Sequence, residues 1–245
     1  MAEGVEVPPT PQLRDRELRR IVITPCGRSL CSSKTIMKFL VGMQDAMVAH
    51  RRLYLEKKIL HGDISDGNII LATVGGKTQG MLIDLDHAEI IEPPPGKDNN
   101  SFLTGTMKFM ALERLHHASN RRESIICTFH HDLDSFFYVL IVGCITYKRE
   151  KKSEEQIELQ MWHTDNIGSN YWAKKYSMWD FQLRILDKLS TNFLGLKALA
   201  SELREIIFGE NGKECGTPDE HEPEYDKIIK AFNNTIEDLR GMIHP

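Results

Sequence analysis

Two polar motifs, one on each side of a predicted β-hairpin, constrain this chain more than any other part of its sequence. The first is HGDISDGN, residues 61–68, and the second is LIDLDHA, residues 82–88. Between them, apolar runs at 68–71 and 81–83 flank Gly75–Gly76, a pattern that predicts a small hairpin. The fold must therefore accommodate an acidic loop immediately before this hairpin and a second acidic segment at its end.

The spacing of three side chains in these motifs is that of a phosphoryl-transfer site. Asp63 is followed five positions later by Asn68, and Asp84 stands at the end of the hairpin. In such sites one carboxylate orients the attacking hydroxyl and accepts its proton, while an amide oxygen and a second carboxylate hold Mg²⁺ on the nucleotide phosphates. Hard oxygen ligands suit Mg²⁺. The alternative is a turn-rich loop whose Asp and Asn side chains only cap neighbouring backbone groups.

Two later segments favour the phosphoryl-transfer interpretation. GTMKFMALE, residues 105–113, resembles the end of a protein-kinase activation segment, with ALE in place of the A-P-E motif. HDLDSFFY, residues 131–138, resembles the start of the buried helix that follows, whose first Asp binds the backbone of the catalytic loop. Four landmarks in this order and at these separations are hard to obtain by chance.

The combined pattern resembles the C-terminal lobe of the protein kinase fold, and most closely the fungal-type protein kinases. The matching segments are TPCGRSL (24–30), AHRRLYLEKKILH (49–61), DIS (63–65), LIDLD (82–86) and HDLDSFFYVL (131–140). The resemblance covers residues 20–208. It implies an α+β fold that is mostly α-helical, with a small β-hairpin at the catalytic loop.

The resemblance divides the predicted site residues into three groups. The catalytic group is His61, Asp63 and Ser65, with Asp63 as the base and His61 as a support of the loop. The group that would bind ATP through Mg²⁺ is Asn68 and Asp84. The structural group, in the activation segment and the buried helix, is Gly105, Thr106, Glu113 and Asp132.

The sequence also departs from the protein-kinase pattern. Gly62 stands where most protein kinases have Arg, so regulation through a phosphorylated activation segment is not expected. Ser65 stands where a phosphate-contacting Lys is usual, and Asp86 replaces the Gly of D-F-G. About 20 residues precede the first motif, and they contain one glycine, Gly4, and no lysine. We therefore expect the N-terminal lobe to be largely missing, and the chain alone to be weakly active or inactive.

The pattern along the chain predicts three regions. Residues 1–19 are a disordered lead, 20–208 the kinase-like domain, and 209–245 a tail with a terminal helix. A strand is predicted at 21–24 and an exposed loop at 93–100. Apolar periodicity predicts helices at 35–58 (one helix or two), 130–147, 181–208 and 222–240.

Composition excludes some classes of function. The formal net charge of −4 offers no basic field for nucleic acid. The longest apolar run, residues 136–145, is half of what a membrane-spanning helix needs. Five cysteines without a CxxC pair fit reduced thiols, so we expect an intracellular protein, cytoplasmic or nuclear, whose substrate or partner is another protein.

Three functions remain open at this point. The first is a protein kinase that transfers the γ-phosphate of ATP to Ser or Thr. The second is a non-catalytic C-lobe that acts as an interaction module. The third is a small-molecule phosphotransferase of the aminoglycoside type, which Gly62 suits but which lacks an activation segment such as residues 105–113.

Overall fold

A computed structural model describes residues 24–91, 105–120, 126–147, 158–209 and 221–243. The predicted lead at 1–19, the predicted loop at 93–100 and all but the last residue of the predicted strand at 21–24 lie outside these ranges.

The described part of the chain is mostly helical, with two small antiparallel sheets, and this confirms the α+β prediction. The helices are α1 (Ile36–Lys57), α2 (Leu112–Ser119), α3 (Phe129–Thr146), α4 (Ile167–Trp179), α5 (Phe181–Arg184), α6 (Lys197–Phe208) and α7 (Glu222–Ile243). The strands are β1 (Gly27–Ser29), β2 (Ile59–Leu60), β3 (Ile69–Val74), β4 (Lys77–Leu82) and β5 (Glu89–Ile90). One sheet has the order β1–β3–β4, and the other pairs β2 with β5.

The predicted hairpin is confirmed as β3 and β4. Gly75 and Gly76 form its turn with φ values of 56° and 78°, as a two-residue type I′ turn requires. The register pairs Ile69 with Leu82, and the Ile83 N–H donates to the Asn68 carbonyl at 2.9 Å. The two polar motifs therefore meet at the open end of the hairpin.

Helix α1 is a single helix that supports the hairpin from behind. It begins at Thr35, whose hydroxyl accepts the Lys38 N–H at 3.2 Å, and it ends at Lys58 in the left-handed conformation. Asp45, in its middle, accepts the Gly80 N–H of β4 at 2.9 Å. The helix thus holds both the sheet and, through β2, the loop that begins at His61.

Helix α3 is the centre of the hydrophobic core. Every residue from Phe129 to Ile145 is buried, as the apolar run predicts. The helix begins after Thr128, whose N–H donates to His131 Nδ1 at 3.0 Å. Its histidines and aspartates, at 130–132 and 134, lie in the first two turns, next to the loop of the first motif.

The predicted helix at 181–208 is wrong in its first half. Helix α5 ends at Arg184, short 3₁₀ turns follow at Leu186–Lys188 and Thr191–Leu196, and only then does α6 begin. Leu189 and Ser190 are extended, and the Ser190 N–H donates across the core to the Cys144 carbonyl at 3.0 Å. The apolar residues of this segment recur at close to helical spacing. However, the Ser190 N–H, which a continuous helix would use for its own backbone hydrogen bond, donates instead to the Cys144 carbonyl.

Helix α7 packs on α1 and α6. Its buried residues follow a helical spacing and join the core: Tyr225, Ile228, Ala231, Phe232 and Ile236. Within the described ranges, every helix is too short or too polar to cross a bilayer.

Candidate active site

The loop of the first motif, residues 61–68, runs from β2 to β3 and is built around His61. The His61 side chain is fully buried, with Nε2 3.0 Å from the Ile83 carbonyl and Nδ1 3.3 Å from the Asp63 N–H. Because a carbonyl only accepts, Nε2 carries the proton and Nδ1 accepts from Asp63. Burial lowers the pKa of His61 despite the nearby Asp132 carboxylate. His61 is therefore a neutral support that joins the loop to the end of the hairpin.

Asp132, at the start of α3, anchors the backbone of the same loop. Its carboxylate accepts the His61 N–H at 2.9 Å, the Gly62 N–H at 3.2 Å and His50 Nε2 at 2.8 Å. Burial alone would raise the pKa of Asp132, but the hydrogen bonds that its carboxylate accepts from His50 and from the Gly62 N–H hold it below its usual value. The carboxylate is thus ionised and bound to the loop, in the position predicted for it.

Gly62 has a backbone conformation that explains its departure from the protein-kinase pattern. Its φ is 76°, and a Cβ at this position would lie 2.7 Å from the His87 carbonyl oxygen. An arginine here would have to adopt a left-handed conformation and displace the segment after β4. The loop geometry therefore requires glycine.

The Asp63 carboxylate is held by donors on both sides. Oδ1 accepts the Thr106 N–H at 2.7 Å and the Thr106 hydroxyl at 2.8 Å, while Oδ2 accepts from Asn68 Nδ2 at 3.2 Å. Gly105 has a φ of 109°, and a Cβ on it would lie 3.1 Å from the Gly62 carbonyl oxygen. The structure thus brings together three predicted site residues, Asp63, Asn68 and Thr106, and Gly105 allows their close approach.

The side-chain oxygen of Asn68, Oδ1, points away from this cluster. Its Nδ2 donates to the Asp63 carbonyl at 2.8 Å and to Asp63 Oδ2. Both of these atoms are acceptors, so the amide nitrogen must face them, and Oδ1 faces the other way. Within the described residues Oδ1 accepts no hydrogen bond, which fits a role as a metal ligand.

Asp84 lies just beyond the residue paired with Asn68 across the hairpin. Its side chain is exposed, its φ is 67°, and its Oδ1 accepts the Asp86 N–H at 3.3 Å. In the ranges that the structure describes, no group of three or more His, Cys, Asp or Glu side chains is placed to hold a metal. Asn68 Oδ1 and the Asp84 carboxylate are hard oxygen donors of the kind that Mg²⁺ prefers, and Mg²⁺ needs few protein ligands because it keeps several waters and phosphate oxygens.

Ser65 lies inside the loop. It is buried, and its hydroxyl accepts the Asn68 N–H at 3.3 Å. This contact shapes the turn before β3, and a direct catalytic role of Ser65 stays a prediction.

Glu113 joins α2 to α3. Its Oε2 lies 3.0 Å from His131 Nε2, and this hydrogen bond lowers the pKa of Glu113 against the opposing effect of burial. Two further contacts hold the same segment: Asp134 accepts the Leu112 N–H at 2.8 Å, and Lys174 donates to the Met110 carbonyl at 2.7 Å. The predicted activation segment, residues 105–113, therefore ends in a set of largely buried polar contacts.

Four buried residues that make hydrogen bonds next to this site were not identified from the sequence: His50, Asp134, Lys174 and Tyr225. His50 falls on the apolar face of the predicted helix, and Tyr225 lies in the predicted tail. A polar side chain at an apolar position was the only available signal for His50.

Comparison with known proteins agrees with this geometry. The model of the fungal protein kinase family matches residues 3–144, and this confirms the resemblance predicted from the motifs. No curated protein matches the chain. Since the family match spans more than half of the 245 residues, the chain belongs to the fungal protein kinase family.

Proposed function

We propose that this chain is the C-terminal catalytic lobe of a protein kinase that transfers the γ-phosphate of ATP to a Ser or Thr hydroxyl of a protein. The observation that carries the proposal is the setting of Asp63, whose carboxylate accepts three hydrogen bonds from Thr106 and Asn68. A carboxylate has about four acceptor positions. Three donors thus fix its orientation, and one position on Oδ2 remains for a substrate hydroxyl.

The residues in and around the loop would have different roles in this reaction. Asp63 Oδ2 would orient the hydroxyl and accept its proton as the new O–P bond forms and the bond from the γ-phosphorus to the ADP oxygen breaks. His61 and Asp132 would keep the loop backbone in place during this step. Asn68 Oδ1 and the Asp84 carboxylate would hold Mg²⁺, which when bound neutralises charge on the phosphates.

The contact between Thr106 and Asp63 favours a protein kinase over a small-molecule phosphotransferase. The resemblance identifies residues 105–113 as an activation segment, which the aminoglycoside-type enzymes lack. Here that segment donates two hydrogen bonds to the proposed base. A protein substrate is therefore favoured over a small molecule.

The test is Mg²⁺-dependent transfer of label from [γ-³²P]ATP under single-turnover conditions, with histone and casein as protein acceptors. Asp63→Ala is compared with Asp66→Ala, which removes a carboxylate from the same loop. We expect slow labelling of Ser and Thr by the unmodified chain and by Asp66→Ala, and about 10²- to 10⁴-fold slower labelling by Asp63→Ala.

Labelling by the unmodified chain that Asp63→Ala retains in full would contradict the proposal, and no labelling by either protein would favour the non-catalytic interaction module. Labelling of an aminoglycoside but of neither protein would favour the small-molecule phosphotransferase.

A further inference from the structure

We propose that Tyr225, on the C-terminal helix α7, is a positioning residue for the catalytic loop, and that it acts through His50 and Asp132. The inference rests on the proposed function for the importance of that loop. It extends the machinery to a helix that contributes no residue to the phosphoryl-transfer motifs.

A continuous line of hydrogen bonds joins α7 to the loop. The Tyr225 hydroxyl lies 2.8 Å from His50 Nδ1, His50 Nε2 lies 2.8 Å from Asp132 Oδ2, and the same oxygen accepts the His61 N–H at 2.9 Å. The participants come from α7, α1, α3 and the loop, so the line crosses the core between four separate parts of the chain.

The donor and acceptor in each hydrogen bond of this line can be assigned by starting from the Asp132 carboxylate, which can only accept. Asp132 is an ionised carboxylate that also accepts two backbone N–H groups, so His50 Nε2 must donate to it. In a neutral imidazole the other nitrogen, Nδ1, is then an acceptor, and the Tyr225 O–H donates to it. Tyr225 thereby fixes the tautomer of His50 that presents a proton to Asp132.

Because His50 is buried, the Tyr225 hydroxyl is the hydrogen-bond donor that satisfies its Nδ1. The exposed fraction is 0% for His50 and Tyr225 and 5% for Asp132. The Phe136 and His50 rings make a T-shaped contact, with 5.6 Å between ring centroids. Without the tyrosine hydroxyl, His50 Nδ1 is an unsatisfied acceptor in an apolar site. The imidazole then lowers its free energy by rotating away from Asp132 or by changing its tautomer.

Helix α7 does not depend on this one hydroxyl for its attachment. Glu224 lies 2.9 Å from His130 Nδ1, Arg51 lies 3.2 Å from Asp226, and an apolar face of the helix is buried in the core. Replacing Tyr225 by Phe removes only the hydroxyl. The loss at the loop can therefore be measured while the helix stays docked.

Tyr54→Phe is a matched control. Tyr54 is buried in the same interface between α1 and α7, and its hydroxyl lies 3.3 Å from His221 Nδ1. Among the described residues, no chain of side-chain hydrogen bonds connects that contact to Asp132. Both substitutions remove one tyrosine hydroxyl from one interface, but only one of the two hydroxyls is connected to the loop.

The experiment measures amide hydrogen exchange residue by residue in the full chain, for the unmodified protein, Tyr225→Phe and Tyr54→Phe. We expect the His61 and Gly62 amides to exchange about tenfold faster in Tyr225→Phe, relative to amides of α3, and to be unchanged in Tyr54→Phe. Equal protection of these two amides in all three proteins would overturn the proposal. So would an increase of the same size in Tyr54→Phe.

A second measurement needs no substitution. The long-range ¹H–¹⁵N spectrum of the unmodified protein should show His50 neutral with its proton on Nε2, and a proton on Nδ1 would contradict the proposal because Tyr225 could not then donate. Neither readout requires catalysis. Faster exchange in a chain whose labelling of protein does not depend on Asp63 would thus refute the proposed function and leave the role of Tyr225 intact.

Discussion

Thr106 donates both its backbone N–H and its hydroxyl to a single oxygen of Asp63, at 2.7 and 2.8 Å. The two residues are 43 positions apart, so the contact joins the loop of the first motif, residues 61–68, to the predicted activation segment, residues 105–113. Gly105 makes the contact feasible, because a side chain there would meet the Gly62 carbonyl. The proposed base is thus oriented by the segment that would present a substrate.

The first prediction concerns Asp63→Asn. Thr106 donates to one carboxylate oxygen and Asn68 to the other, so an amide in either orientation would place its NH₂ group against a donor. We expect the free energy of unfolding to fall by about 1–2 kcal/mol. Chemical denaturation of Asp63→Asn and of Asp66→Asn, a neighbour in the same loop, checks this. Equal free energies of unfolding for the two variants would show that the hydrogen bonds of Asp63 do not stabilise the fold.

The second prediction concerns Gly62→Ala. The left-handed φ of 76° opposes a side chain, and so does the His87 carbonyl oxygen, which would lie 2.7 Å from the new Cβ. We expect a loss of about 1–3 kcal/mol in unfolding free energy. Gly67→Ala is the control, since its Cβ would meet only the Ser65 hydroxyl at 3.7 Å. If Gly62→Ala were as stable as Gly67→Ala, the requirement for glycine would be refuted.

Much of the fold and of the candidate site could be predicted because the signals are local. The hairpin follows from two glycines between apolar runs, and Asp63, Asn68 and Asp132 follow from motif spacing. The break before α6 and the line from Tyr225 to Asp132 could not be predicted. Each depends on partners that are far apart in the chain, such as Ser190 with Cys144 and Tyr225 with His50. Apolar periodicity reports that a position is buried but does not identify its hydrogen-bond partner.

The third prediction concerns acid unfolding and Asp132. Its pKa lies below the ordinary 3.8, since the hydrogen bonds from His50 and from the Gly62 N–H outweigh burial. The stability that this gives is complete above pH 3.8 and is lost as the pH falls through the lowered pKa. We therefore expect Asp132→Asn to lose about 1–3 kcal/mol at neutral pH and less below pH 3. Denaturation between pH 2 and 7 checks this against Asp226→Asn, which removes an exposed carboxylate and should cost less than Asp132→Asn at neutral pH.

The fourth prediction concerns Lys174, which is fully buried. Its Nζ donates to the Met110 carbonyl at 2.7 Å and lies 4.0 Å from the centre of the Tyr138 ring. Burial lowers the pKa of Lys174 to about 7, against the attraction of Asp134. Lys174→Met leaves the carbonyl unsatisfied and Asp134 without its cation, so we expect a loss of about 2–4 kcal/mol. Lys175→Met, on the half-buried side of the same helix, should cost less in the same denaturation experiment, and an equal cost would contradict the anchoring role of Lys174.

The last prediction concerns the pH dependence of the contact between His130 and Glu224. The two groups lie 2.9 Å apart and are both buried. Burial alone would lower the pKa of His130, but the hydrogen bond and charge of Glu224, helped by Asp134 and Glu113, raise it above 6.5. A raised histidine pKa stabilises the fold fully below pH 6.5, and this stability is lost as the pH rises through the folded value.

Glu224→Gln removes the charge that raises this pKa. We therefore expect it to lower the unfolding free energy by about 1.5–3 kcal/mol at pH 6 and by clearly less at pH 9. Glu222→Gln is the control, because Glu222 is exposed and lies 3.5 Å from Arg51. Chemical denaturation of both variants at the two pH values provides the measurement. A cost of Glu224→Gln that is the same at pH 6 and pH 9 would mean that His130 is not protonated in the fold, and that a neutral hydrogen bond alone holds the start of α7 against α3.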